Sequence, residues 1–138
     1  MTDTKKTSFG RVESIIGRAR FQTIVTSGKH AIVVDEPEEL HGSDTGMNPF
    51  GLLLSSLGSC TSITLRMYID HKMWIVESIS CELEIFKIDE GYLIENTLTF
   101  IGELTKEQIS RLLEIADACP IHKILAGNIM INTQVSNQ

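Results

Sequence analysis

The chain has 138 residues, a formal net charge of −6, and 42% hydrophobic and 22% charged residues. That is the length of one domain with enough chain to bury a core, so a single domain over 1–138 is expected, and the composition excludes a disordered, collagenous or coiled-coil protein. An acidic chain with no basic cluster beyond Lys5–Lys6 and Arg18–Arg20 is a poor match for nucleic acid or an anionic membrane surface.

The first ten residues, MTDTKKTSFG, lack the apolar run of a signal peptide, so none is expected. Over 8–35, Phe21, Thr23 and Val25 alternate with Gln22, Ile24 and Thr26. Ser27–Gly28–Lys29 reads as a turn and Ala31–Val34 as a strand, which predicts an antiparallel meander. Residues 35–48 have acids, one Pro and two Gly but no apolar period, so a loop is expected. It is either functional or a solvated connection, and its acids Asp35, Glu36, Glu38 and Glu39 read as a solvated face.

Asn48–Pro49 is a good helix opening, an N-cap followed by the residue suited to the first helical position. The helix is expected to run to about Lys72, and no charge appears in it before Arg66. A helix apolar or small on every side wants burial on every side. One small domain can hardly wrap it, so a covering sheet and a partner subunit are expected. Its many serines and threonines make 47–65 too polar for a bilayer span.

Residues 76–101 read as a hairpin. Ile79, Cys81, Leu83 and Ile85 share one face, Asp89–Glu90–Gly91 forms the turn, and Tyr92, Ile94, Leu98 and Phe100 lie on the return strand. Thr105 and Gln108 make a capping box ahead of Ile109, Leu112, Leu113 and Ala116, which predicts an amphipathic helix ending before Pro120. A short helix from Pro120 to Ala126 and a last strand over 129–135 complete the expected order.

The three cysteines, Cys60, Cys81 and Cys119, are an odd number at wide spacing with no CxxC, so neither a disulfide scaffold nor a zinc ribbon is expected. Cys81 belongs to the apolar face of its strand. Cys119 falls at the N-cap of the Pro120 helix, where backbone N–H groups favour a thiolate; the other reading is a buried structural thiol. Cys60, inside an uncharged helix, is inert unless a cation or donor is near; Arg66, Arg18 and Arg20 are candidate cations. His122, three residues after Cys119, is either an activating base or an exposed helix residue. His30, His41 and His71 have no metal-like spacing, so no metal site is expected. Two thiols that meet are the minimum kit for reducing an oxidant through sulfenic acid and disulfide.

The stretch from Asp35 to Tyr68, DEPEELHGSDTGMNPFGLLLSSLGSCTSITLRMY, together with ACPIH at 118–122, resembles the OsmC/organic hydroperoxide resistance family. The order of elements extends the resemblance over about residues 8–136, within the OsmC-like subgroup. It implies an α+β fold with antiparallel sheets packed around two central helices in an intertwined homodimer, with active sites at the subunit interface. It further implies a cytoplasmic thiol peroxidase of the oxidative stress response that reduces organic hydroperoxides, and H₂O₂ as a further candidate. Cys60 then matches the peroxidatic cysteine and Cys119 the resolving one. An external dithiol, lipoyl-type in some members, resets the pair, and no cofactor or metal is required. Gly51 stands where the family's peroxidases carry a Glu that pairs with an Arg. That departure supports an alternative, a non-catalytic small-molecule-binding protein using the interface pocket. A Cys60/His122 acyl-transfer enzyme is a third reading, for which no orienting acid can be assigned from sequence.

Overall fold

The computed structural model describes residues 5–136, and the chain divides into two compact units after Leu52. In the first, β1 (Glu13–Ile16), β2 (Thr23–Ser27) and β3 (His30–Val34) form an antiparallel sheet in the order β1-β2-β3. Ile24 pairs with Ile15 on one side and Val33 on the other. Gly28, at φ 57°, makes the β2–β3 turn, a backbone position that side chains rarely tolerate. Ile15, Ile16, Ile24, Ile32 and Val33 remain exposed.

The loop after β3 contains one 3-10 turn, Glu38–Leu40, and returns to the sheet through a parallel bridge between Val34 and Met47. The expected solvated acidic face fails at Asp35, whose side chain is 1% exposed. Asp35 Oδ1 accepts from the Glu36 N–H at 2.7 Å and the Ser43 N–H at 3.5 Å. Oδ2 accepts from the Thr45 N–H at 3.1 Å and the Thr45 hydroxyl at 2.6 Å. The loop's own donors replace water, which composition could not reveal. A Cβ on Gly46 would overlap the Val33 carbonyl, so this return admits only glycine without a backbone shift.

Helix α1 spans Pro49–Lys72, as expected, and Asn48 Oδ1 accepts the Gly51 N–H at 2.9 Å. By length and composition α1 just meets the minimum for a membrane-crossing helix, a test that the core helix of a globular domain also passes. Its Leu57, Gly58, Thr61, Leu65 and Ile69 are buried along one side. That side is an i, i+4 stripe, the spacing that aligns residues on one helix face. Phe50, Leu53, Ile63 and Met67 remain exposed.

In the second unit β4 (Val76–Ile88) and β5 (Gly91–Gly102) form the hairpin, with Cys81 opposite Leu98. A Cβ on Gly58 would stand 2.8 Å from Leu83 Cδ1, which is how closely β4 approaches α1. Helix α2 (Lys106–Asp117) carries the expected capping box between Thr105 and Gln108. Its buried residues are Leu112 and Ala116; Ile109 and Leu113 are exposed, so the inward stripe is narrower than the periodicity suggested. Leu65, Ile69, Val76, Leu112 and Ala116 form the core, flanked by Tyr68, Trp74, Ile79 and Phe100. Helix α3 covers Pro120–Ala126. The strand expected over 129–135 is not formed: the segment is irregular, with Met130 and Ile131 more than four-fifths exposed. An apolar alternation makes a strand only where a neighbouring edge supplies hydrogen bonds.

Candidate functional site

Cys60 lies on the fourth turn of α1, and Cys119 is the N-cap of α3 with φ −55° and ψ 131°. Pro120 at the first helical position fixes that entry and needs no partner for a missing N–H. The Cys119 N–H donates to the Ala116 carbonyl at 3.2 Å, which ties the thiol's backbone to the end of α2. Packing of α1, α2 and α3 within the second unit brings the two thiols close enough for each to shift the other's titration. Cys119 is fully buried and Cys60 partly buried, and all three cysteines are reduced.

The two sulfurs have unlike surroundings. Burial pushes the Cys60 thiol above its ordinary range, and its hydrogen bond to Cys119 adds to that. The Ile121 N–H and the Thr64 hydroxyl pull weakly the other way. For Cys119, burial is again the largest influence and would raise it. The Cys60 thiol, the His122 and Ile121 N–H groups and the Thr61 hydroxyl together outweigh burial and hold Cys119 below the ordinary thiol range. Negative charge is thus favoured on Cys119, the more buried sulfur.

The other candidates separate. His122 assists Cys119 through its backbone N–H, while its Nδ1 stands 3.9 Å from Asp117 Oδ1. Asp117 is the acid that sequence reasoning could not assign to His122; it sits five positions earlier on a different helix, a spacing that carries no signal. Arg66 donates to Asp70 at 3.3 Å and to the Val76 carbonyl at 3.0 Å, a half-exposed arrangement that joins α1 to the start of β4. Arg20, at φ 48°, donates to the His41 carbonyl at 3.0 Å within the first unit. Arg18 is exposed in the same unit. Cys81 faces α1, with its sulfur 3.3 Å from the Ser62 hydroxyl. At Gly51 a Cβ would meet Met47 Cγ at 2.7 Å, so a larger residue requires that flexible side chain to move.

Thr61 is the residue that sequence reasoning missed. It is 2% exposed, its hydroxyl donates to the Leu57 carbonyl at 2.8 Å, and it also reaches Cys119. The available signal was its place between Leu57 and Leu65 at i±4, which puts a hydroxyl on the buried stripe. Thr61 and His122 also line a groove of about 600 Å³, together with Leu57, Leu98, Leu113 and Asp117. Among the described residues no three His, Cys, Asp or Glu side chains gather as metal ligands.

The model of the OsmC-like protein family matches residues 42–134 of this chain. No curated protein matches it. Among solved structures, an OsmC-like protein from Mycoplasma pneumoniae is similar with a TM-score of 0.73 at 18% identity, over 91% of this chain and 90% of that one. An organic hydroperoxide resistance protein from Elizabethkingia anophelis is similar with a TM-score of 0.65 at 24% identity, over 91% and 93%. The organic hydroperoxide resistance protein OhrB of Bacillus subtilis is similar with a TM-score of 0.60 at 23% identity, over 88% and 93%. At these identities the structures speak for the fold, an α+β arrangement with antiparallel sheets, and the family model covers both cysteines of the contact. The chain belongs to the OsmC-like protein family.

Proposed function

We propose that the chain is a cysteine-based peroxidase that reduces organic hydroperoxides through Cys60 and Cys119. The observation that carries this reading is the proximity of two free thiols, Cys60 of α1 and Cys119 at the α3 N-cap, close enough that each shifts the other's titration. Cys60 is the more accessible sulfur and takes the attacking role; Cys119, buried against it, closes the disulfide. A dithiol of the lipoyl class resets the pair. Two structural relatives bear the name organic hydroperoxide resistance protein, which supports this substrate class. The exposed apolar residues of α1, Phe50, Leu53, Ile63 and Met67, suit a homodimer in which a second copy covers them. An odd number of cysteines at wide spacing suits a cytoplasmic location.

Stoichiometric cumene hydroperoxide should convert the reduced chain to a Cys60–Cys119 disulfide, identified by mass spectrometry of peptides. A chain that stays reduced while a known thiol peroxidase reacts refutes the reading. A second reading, a non-catalytic binder of apolar small molecules, draws on the groove of about 600 Å³. It predicts a co-purified ligand, and biological function unchanged by Cys60→Ser.

A further inference from the structure

We propose that the groove of about 600 Å³ in the second unit binds a long-chain alkylammonium. The alkyl chain lies along β5 and against the helices, and the cationic head sits at Asp117. This deepens the small-molecule reading of the groove and rests on it; it does not depend on the thiol chemistry. Among the described residues that line the groove there is neither Cys60 nor Cys119. A molecule held by these walls touches neither sulfur, so the groove binds and does not react.

The size and shape of the lining suit an extended apolar chain. About 600 Å³ falls within the range of roughly 300–1,000 Å³ that holds a small ligand. Leu57 of α1 and Ala116 of α2 are buried in the lining. Tyr92, Ile94, Asn96 and Leu98 all line it from β5, because alternate residues of a strand point to one face. That wall runs roughly 20 Å from Tyr92 to Leu98, at about 3.3 Å per residue. Leu113 of α2 and Leu125 of α3 complete the apolar surface.

The charge of the lining selects the head group. With His122 counted neutral, Asp117 is the one formally charged residue among the described residues of the groove. Asp117 is also the last residue of α2, where the carbonyl pole of the helix dipole is already negative. No basic residue lies in that last turn to offset it. The His122 Nδ1 stands 3.9 Å from Asp117 Oδ1, too far for a hydrogen bond. Lys123 of α3 does not line the groove. A carboxylate head would therefore meet like charge from both the side chain and the helix end, whereas an ammonium meets opposite charge from both. The chain's formal charge of −6 adds a long-range attraction for cations.

Isothermal titration calorimetry tests this on the reduced full chain with decyltrimethylammonium, decanol and decanoate, each below its micelle concentration. One decyltrimethylammonium should bind per chain. Decanol should bind about fivefold more weakly, the upper worth of an exposed ion pair, and decanoate more weakly still. Asp117→Asn should bring decyltrimethylammonium to the level of decanol and leave decanol unchanged. Glu77→Gln removes an exposed acid that does not line the groove and should alter none of the three. Leu113→Ser should weaken them all, and circular dichroism should show each variant folded.

Equal affinity for the three amphiphiles overturns the ammonium site and leaves the apolar binder standing. Binding of none overturns both. Alkylammonium binding that Glu77→Gln weakens as much as Asp117→Asn is attraction to net charge alone, and it overturns the site. A second copy seated in the groove would show as no amphiphile binding and as slower sedimentation of Leu113→Ser than of the native chain, which overturns it as well.

Discussion

The loop after β3 and the thiol pair each bury an ionisable group, and the two solutions differ. Asp35 meets its demand locally, since all of its donors come from residues 36–45 of the same loop. The Thr45 hydroxyl is foremost in holding its carboxyl below the usual value, against the opposing push of desolvation. Cys119 meets its demand through tertiary packing, with side-chain donors from another helix and with one donor that is itself titratable. A charge paired with fixed donors is a structural anchor. A charge paired with a group that can give up its proton is a candidate reactive site.

Disturbing the packing behind one site and not the other tests this contrast most severely. Leu112 is fully buried on α2, whose end carries the backbone bond to Cys119. Leu112→Ala should cost about 2–5 kcal/mol in denaturant unfolding through the cavity it leaves. It should also raise the Cys119 titration, while the NMR titration of Asp35 does not move. An unmoved Cys119 would mean that its donors do not depend on this packing.

The converse change is Gly46→Ala, which drives a Cβ into the Val33 carbonyl. A loss of about 1–3 kcal/mol is expected, the usual cost of overpacking, with faster hydrogen exchange concentrated in residues 35–47. Exchange that speeds up evenly along the chain would contradict a locally closed loop.

The carboxyl of Asp35 has a folded value below its unfolded one. Its stabilising contribution is therefore present above the ordinary carboxylate range and is lost as pH falls through the folded value. Asp35→Asn should flatten this acid limb in unfolding experiments repeated across pH. Cys60 has the opposite sense among acids: raised in the fold, it opposes folding once pH passes the ordinary thiol value. Cys60→Ser should accordingly reduce the alkaline loss of stability.

The smallest effect belongs to Cys81. Its sulfur meets Ser62 and takes no part in the Cys60–Cys119 contact. Cys81→Ser should change stability by no more than about 1 kcal/mol, within the worth of a single hydrogen bond. It should leave the hydroperoxide-driven disulfide intact, and a lost disulfide would make Cys81 part of the redox chemistry.

Wherever a local rule sufficed, the elements were legible in the residues. Asn48–Pro49 opened α1, Thr105 with Gln108 capped α2, and Cys119–Pro120 opened α3, because capping acts over a few residues. The hairpin followed from its alternation and its turn. Residues 129–135 had the same alternation and formed no strand, since the ladder depends on a partner edge that a pattern cannot supply.

The two cysteines were readable as candidates from the residues about them, and the family resemblance joined them. Their proximity came from the packing of three helices. The same packing placed Thr61 near Cys119 and gave His122 an acid neighbour in Asp117, while Arg66 meets Asp70 within α1 and the Val76 carbonyl at the start of β4. Hydrogen bonds to a buried group depend on distances of a few tenths of an ångström between elements far apart in the chain. A periodic pattern records which face turns inward, and the identity of the atom that waits there is decided by the fold.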